Sequence, residues 1–439
     1  MTTLEVDRTS EIPDHVARRV MLAEGHRDEV ELYEAFEWIR ANRPLARAVL
    51  DGYPPYWLVS KHADIMAIER DWETFSSAGL PGTSFEHRIW SDAELAFISE
   101  STGGTMRNID TVVPLDPPLH TEIKDIANDW FRPAKLRERE EALRELAREA
   151  IRTRLVPGVN NLDFVKEFAL SYPLHVIMTI VGIPAEDEPR MMTLTQEVFG
   201  MSDPDLQGEA GDSSPANRAQ REIATRDDFI AYFDAVVEDR RANPRDDLAS
   251  VIANARDDSG EYYDKSWSYG WFIVIATAGH DTTSSTLSTI IEALADHPDQ
   301  LAAVQADLTW IPDLVNEGLR WASPVKHFAR QATRDTNLGG RTIRRGDRLV
   351  LCYPSANRDE AIFDDPNSFR FDRRPNRHIA LGFGPHMCIG QHLAKLELRV
   401  MLEELLPRIV RLEKTGEPRY VLSNFVGGLK NLPVRMQLR

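Results

Sequence analysis

The chain has 439 residues, 42% hydrophobic and 28% charged, with 52 Lys and Arg against 70 Asp and Glu, a net charge of −18. Those proportions exclude a fibrous, disordered or membrane-embedded chain, and so acidic a balance argues against sequence-independent nucleic-acid binding, which needs a basic face. Two cysteines, Cys352 and Cys388, are too few for a disulfide framework and fit a reducing compartment. The N-terminus is polar and mixed in charge, so no signal peptide is predicted and a cytoplasmic protein is expected. The uncharged stretches 168–185 and 266–280 read as buried core rather than membrane spans: the first is interrupted by Pro173, Gly182 and Pro184, and the second is too short.

In chain order, Tyr56–Ser60 reads as a strand and Asp64–Arg70 as the start of a helix. Residues 79–118 are rich in glycine and proline and read as one long loop region, a length that is usually functional. Helical spacing covers about 120–155 and 164–181. Residues 202–220 have the Gly, Ser, Pro, Asp and Asn composition of a mobile surface loop. Helices are predicted over about 222–256, 265–296, 298–306 and 311–321, then a strand at Arg348–Tyr353 and a last helix from about Cys388 to Leu406. No repeat and no linker appears. The expectation is one domain over 1–439, mainly α with minor β.

Three segments carry chemistry. Leu381-Gly382-Phe383-Gly384-Pro385-His386-Met387-Cys388-Ile389-Gly390 sets one cysteine among three glycines where a helix opens. Glycine permits close approach of a flat ligand, and a helix N-terminus favours the thiolate that ligates metal. One thiolate on such a surface suits axial ligation of haem iron. A zinc site using His378, His386, Cys388 and His392 is the rival, with a spacing that matches no common zinc pattern. Cys352 reads as an ordinary buried cysteine.

The second segment, Ala278-Gly279-His280-Asp281-Thr282-Thr283, breaks helix rules inside an apolar helix. Ala278 shares a face with Thr282, and the small Ala278 and Gly279 would leave a groove for a diatomic ligand. Asp281 lies about 100° round the helix, so one of the pair can serve the groove and the other solvent. The third segment, Glu317-Gly318-Leu319-Arg320, sets a charge pair on one helix face.

With Asp116-Pro117-Pro118-Leu119-His120-Thr121, Ala356-Asn357-Arg358-Asp359 and Pro375-Asn376-Arg377-His378, these segments stand in the order of the cytochrome P-450 family, the haem-thiolate monooxygenases, which the chain resembles over nearly its whole length. The resemblance is nearest to the bacterial terpineol-hydroxylating branch. Its carriers are Tyr172-Pro173-Leu174-His175-Val176, Asn128-Asp129-Trp130-Phe131, Thr277–Ser285, Gly390–Glu397 and Asn424-Phe425-Val426-Gly427-Gly428.

The resemblance implies a single-domain fold with haem b between the long central helix and the cysteine-loop helix. It implies Cys388 as iron ligand, with Gly382, Gly390 and Ala278 against the haem. Asp281 and Thr282 become the acid–alcohol pair that delivers protons, and Glu317, Arg320 and Arg373 a structural salt bridge. His120, Arg330 and His386 become propionate partners, with Lys124 where the family usually has Arg. Leu381 replaces the usual Phe and Ser368 a frequent Arg. Val274, Thr277, Ala278, Val325, Phe328, Phe425 and Val426 would line the substrate pocket, entered past 79–113 and 202–220. With neither a dinucleotide fingerprint nor a four-cysteine cluster set, electrons are expected from a separate protein, which the resemblance implies to be an iron–sulfur ferredoxin with its NAD(P)H-dependent reductase. Lys124, Arg132, Lys135, Arg137, Lys395 and Arg399 would offer a basic patch for it. The implied reaction is hydroxylation of a small neutral hydrophobe, a monoterpenoid or alkyl aromatic, with O2. A peroxide-driven enzyme and a non-catalytic haem sensor are the alternatives.

Overall fold

The computed structural model describes residues 11–200, 202–206 and 215–439. Its axis is the helix Lys265–Asp296, opened by an Asp264 side chain that accepts from the Ser266 N–H at 2.8 Å. At 1.5 Å per residue, 32 residues run about 48 Å. A helix apolar on nearly every side must be buried on nearly every side, and it is wrapped by Ser171–Val181, Glu188–Phe199, Pro215–Ala242 and Ile311–Ala322. Two glycines set how closely these pack. A Cβ on Gly279 would lie 2.6 Å from Ile177 Cδ1, and one on Gly318 would lie 2.3 Å from Ile290 Cγ1.

A five-stranded mixed sheet stands beside the helices, in the spatial order Leu45–Ala48, Tyr56–Val59, Arg348–Cys352, His327–Ala332, Phe75–Ser76. Tyr56–Val59 pairs in parallel with Arg348–Cys352, and the other pairings are antiparallel. Side chains alternate between two apolar clusters, the period-2 pattern of a sheet covered on both faces. Tyr56, Leu58, Val350 and Cys352 meet the helix Glu29–Asn42, while Trp57, Val59, Leu349 and Leu351 meet His62–Arg70. Cys352 is thus core, and burial pushes its thiol up to about 12.

Several predicted elements divide. The charged stretch 120–155 is two helices, Leu119–Asn128 and Pro133–Arg154, parted by a 3₁₀ turn at Asp129–Phe131. Pro133 cannot donate within a continuing helix, so it opens a new one. The stretch 222–256 is likewise Pro215–Ala242 and Leu248–Ala253. The predicted loop 79–118 contains the helix Asp92–Ser101, held by a Ser91–Glu94 capping box. Of the predicted loop 202–220, residues 207–214 lie outside the described residues and 215–220 are helical. Its start is anchored rather than free. Asp203 is fully buried, accepts the Leu422 N–H at 2.9 Å and pairs with Lys430 at 2.9 Å. No helix among the described residues is long and apolar enough to cross a membrane.

Candidate active site

Along the long helix the residues still accessible in its central stretch are Val274, Ala278, Gly279, Asp281 and Thr282, between buried neighbours. Val274, Ala278 and Thr282 follow one another at four-residue steps, so they form a single stripe. On a helix this deep, such a stripe marks an internal cavity. Every residue of 381–390 is likewise partly accessible or exposed. That loop is shaped by glycine. Gly382 and Gly384 have φ of +70° and +66°, and a Cβ on Gly384 would lie 2.3 Å from the Glu69 carbonyl oxygen. The Cys388 N–H donates to Leu381 O at 2.8 Å, which closes the loop before the helix Gln391–Leu405. Burial raises the Cys388 thiol above its ordinary range, opposed only in part by the Gly390 N–H and the Lys124 ammonium.

Thr282 donates to Ala278 O at 2.7 Å, a bond to its own preceding turn that leaves its oxygen on the cavity face. Gly279 does not widen the groove as expected: its missing side chain makes room for Ile177 of the neighbouring helix. Asp281 faces elsewhere. Its Oδ2 is buried without a partner and borders a separate cavity of about 60 Å³ lined by Gln196, Ser284, Val426 and Lys430. That volume holds one or two waters. His280 Nδ1 lies 3.5 Å from Asp281 Oδ2, but its ring is already placed by Leu170 O at 2.7 Å and the Thr195 hydroxyl at 3.2 Å.

Basic groups gather at the cavity's edge. Arg330 is buried and donates one nitrogen to Ala329 O at 2.9 Å. His120 is buried with Nδ1 unpartnered, and burial, then the charge of Lys124, lower it to about 4. Its ring stands 4.2 Å from that of His386. Burial and then the Arg330 charge hold His386 well below its ordinary range. Of the groups expected to face an anionic cofactor, two are placed otherwise. His386 is held by the Ser77 hydroxyl at 3.0 Å and the Leu115 backbone. Lys124 turns to the loop carbonyls of Pro385 and Met387, at 2.6 and 3.1 Å, because those carbonyls have no ladder partner of their own. Its charge therefore serves the thiolate. Asp116 fixes this corner by accepting from the Ser76 hydroxyl and from the Ser77 N–H at 2.8 Å.

Glu317 is fully buried and accepts from Arg320 Nε and Nη2 at 2.8 and 2.7 Å, Arg373 Nε at 3.2 Å, Asn376 Nδ2 at 3.0 Å and the Arg370 N–H at 2.8 Å. Arg320 in turn donates to the carbonyls of Asn357, Pro366 and Ser368. The network staples the helix Ile311–Ala322 to the chain that leads into the cysteine loop. The Ser368 carbonyl accepts from both Arg320 and Arg373, so the absent arginine side chain at that position is not needed for the pair.

The expected pocket residues separate. Val274, Ala278, Val325, Phe328 and Phe425 keep accessible surface beside the cavity, and the Phe328 and Phe425 rings stand 5.4 Å apart. Thr277 is buried and its hydroxyl donates to Ile273 O at 2.7 Å, so it offers no free donor. Val426 is buried in a bridge with Val325 and lines the Asp281 cavity instead, because successive residues of an extended segment face opposite sides. Lys326 points away toward Glu29 at 3.5 Å. His327 bonds Asn424 O at 2.8 Å and the Ile89 N–H at 3.0 Å, and burial lowers it to about 4. The histidines of the zinc alternative do not converge on Cys388. Among the described residues no group of three or more His, Cys, Asp or Glu forms a metal site.

A thiol in a glycine-shaped loop, an accessible stripe of small residues on the long helix, and Arg330 with the unpartnered Nδ1 of His120 nearby fit an iron porphyrin ligated by Cys388. Residues 96–410 match the family model for cytochrome P450, and the chain belongs to that family of haem-thiolate enzymes and is a monooxygenase with the single-domain P450 fold. It is 44% identical to cytochrome P450-terp of a Pseudomonas species over 98% of this chain and 99% of that one. It is 32% identical to linalool 8-monooxygenase of Pseudomonas putida over 92% and 95% of the two chains. The crystal structure of CYP108D1 from Novosphingobium aromaticivorans DSM12444 superposes with a TM-score of 0.87 at 37% identity, covering 98% of this chain and all of that one.

The sequence reading missed Asp116 as an anchor of the cofactor edge, Glu69 beneath the cysteine loop, and the Glu86–His87–Arg88 cluster described below. Asp116 belongs to the Asp116-Pro117-Pro118 segment, whereas Glu69 meets Tyr353 and Arg88 meets Glu222 only across long stretches of chain.

Proposed function

We propose that this protein hydroxylates a small neutral hydrophobic molecule, a monoterpenoid or an alkyl aromatic, using haem b, O2 and electrons from an iron–sulfur ferredoxin with its NAD(P)H-dependent reductase, in the cytoplasm. The observation that carries it is the set of apolar residues that keep accessible surface, Val274, Ala278, Val325, Phe328 and Phe425, with the Phe328 and Phe425 rings 5.4 Å apart. The nearby Lys326 and His327 are turned away or fully bonded, and Arg88, 5.6 Å over the Phe425 ring, is already paired with Glu86 and Glu222, so a substrate carboxylate finds no free cation there. Likeness to P450-terp and linalool 8-monooxygenase supports the same substrate class.

The Cys388 thiolate would hold the iron, with Arg330 and the free Nδ1 of His120 toward the propionates. Bound there, haem supplies the activation of dioxygen that places one oxygen atom in a C–H bond. Thr282 holds a hydroxyl at the small-residue groove and Asp281 a carboxylate at the water-sized cavity, so protons can pass from solvent past Asp281 to Thr282. This pair favours partner-fed turnover over a peroxide-driven enzyme or a sensor.

Both expected entrance segments contribute to a second cavity of about 120 Å³, Arg88, Trp90 and Glu94 from one and Ser202 and Ala219 from the other, with Phe425 at its end. This supports entry between them. The basic patch is smaller than expected. Arg132, Lys135 and Arg399 are paired with Asp129, Glu138 and Glu140, and Lys124 is turned inward. Arg137 and Lys395 remain, in a groove of about 250 Å³ with His392 beside the cysteine-loop helix. An acidic ferredoxin would meet these two.

The test compares product formed per NADH with a ferredoxin–reductase pair against product formed with peroxide, on terpineol-like alcohols, para-alkyl benzenes, fatty acids and steroids. Ferredoxin-driven hydroxylation of the first two classes is expected. Turnover with peroxide alone, or preference for a fatty acid, would reject the reading.

A further inference from the structure

The apolar rim of the cavity leaves a substrate alcohol without a partner, because the Thr277 hydroxyl is bonded to its own helix. Burying an unpaired hydroxyl costs about tenfold to a hundredfold in affinity. His87 stands beside that rim. The segment around it runs against the strand His327–Ala332: the Ala329 N–H donates to His87 O at 2.7 Å and the Ile89 N–H to His327 Nε2 at 3.0 Å. This sets the His87 ring 5.9 Å from the Phe328 ring and 6.5 Å from the Phe425 ring. Its Nδ1 lies 3.0 Å from Glu86 Oε1.

Glu86 is buried, which alone would raise its carboxyl, yet the Arg88 charge and the hydrogen bonds from the His87 ring and the Arg88 N–H bring it down to about 2. An ionised carboxylate only accepts, so Nδ1 carries the proton. In the neutral ring Nε2 is then an acceptor that points away from Glu86. Among the described residues no hydrogen bond occupies it, and the His87 side chain keeps 16% of its surface open against 7% for Glu86. The dyad is rigid, since Arg88 donates to Glu86 through its N–H and Nε at 2.6 and 3.0 Å and to Glu222 of the helix Pro215–Ala242 at 3.0 Å.

We propose that His87, oriented by Glu86, determines specificity by accepting a hydrogen bond from a substrate hydroxyl through Nε2, so that a hydrophobic alcohol is taken over the hydrocarbon of the same skeleton. The inference rests on the small-hydrophobe reading above. It is tested by titrating the haem spin shift of the holoenzyme with α-terpineol and with p-menth-1-ene, which differ by one hydroxyl. The wild-type protein is expected to bind the alcohol about tenfold more tightly. His87→Phe should bring the ratio near one by weakening the alcohol alone, and His87→Gln, whose amide oxygen also accepts, should keep part of the preference. A ratio unchanged in His87→Phe, or equal weakening of both probes, overturns the role of His87 while leaving the substrate class intact. Binding of both probes by the wild type without preference does the same. Absence of any shift with either probe overturns the substrate class, and this inference with it.

Discussion

Replacing Glu317 by Gln keeps the shape of the side chain and removes its charge. Two guanidiniums converge on that carboxylate, Arg320 fully buried and Arg373 5% exposed. Arg320 also donates to three carbonyls and Arg373 to the carbonyls of Asp364, Asp365 and Ser368, so neither can swing out to water without abandoning those bonds. The variant leaves two buried cations around a neutral amide. Removing one partner of a buried pair typically costs about 3–5 kcal/mol, and six donor contacts make the upper part of that range the better figure here. Against a total stability of about 5–15 kcal/mol, that is about a quarter or more. Chemical denaturation followed by far-UV circular dichroism and by the haem band measures it. Glu317→Gln should unfold at markedly lower denaturant and lose haem with the fold. Asp313→Asn on the same helix is the control. Its pair with Arg374, 61% exposed, is worth about 1 kcal/mol or less. A Glu317→Gln protein within about 1 kcal/mol of wild type would refute the view that this carboxylate holds the two arginines in place.

The ferrous–CO complex of the wild type should show the thiolate-ligated band. Cys388→Ala should abolish it and Cys352→Ala, altering only the sheet core, should keep it. Thr282→Ala should bind substrate and consume NADH but release peroxide, whereas Asp281→Asn should slow turnover by about 10²–10⁴-fold; full coupling in the first variant would remove Thr282 from proton delivery. Glu69 is buried, with Oε1 bonded by the Tyr353 hydroxyl at 2.8 Å and Oε2 unpartnered. Burial, only partly opposed by the Arg330 charge, pushes its carboxyl up to about 7. A carboxyl raised from about 4.5 contributes about 3 kcal/mol of stability at acid pH that is lost as pH rises from about 4.5 to 7. Glu69→Gln should therefore flatten the fall in stability over that window, and an unchanged pH profile would show that Glu69 ionises as freely as in the unfolded chain.

Local signals made much of this protein legible. The helices 265–296, 298–306 and 311–321 were readable almost to the residue, because apolar periodicity, an Asp cap and a proline at the first turn act over a few residues. The cysteine loop was readable because its glycines answer to the backbone's own positive φ, and the Glu317–Arg320 pair because i and i+3 share a helix face. What only the tertiary structure decided is which way side chains turn once distant segments meet. Gly279 admits Ile177 rather than a ligand, Lys124 reaches carbonyls more than 260 positions away, and Val426 lines the cavity beside Asp281 while Phe425 packs against the Phe328 ring. His87 acquires its place only where residues 86–89 lie against a strand whose His327 is 238 positions beyond Ile89. Periodicity and spacing report a residue's own element. The partner that claims its polar atom or its volume comes from another element, and that choice is fixed by packing, where close-packed neighbours leave one arrangement open.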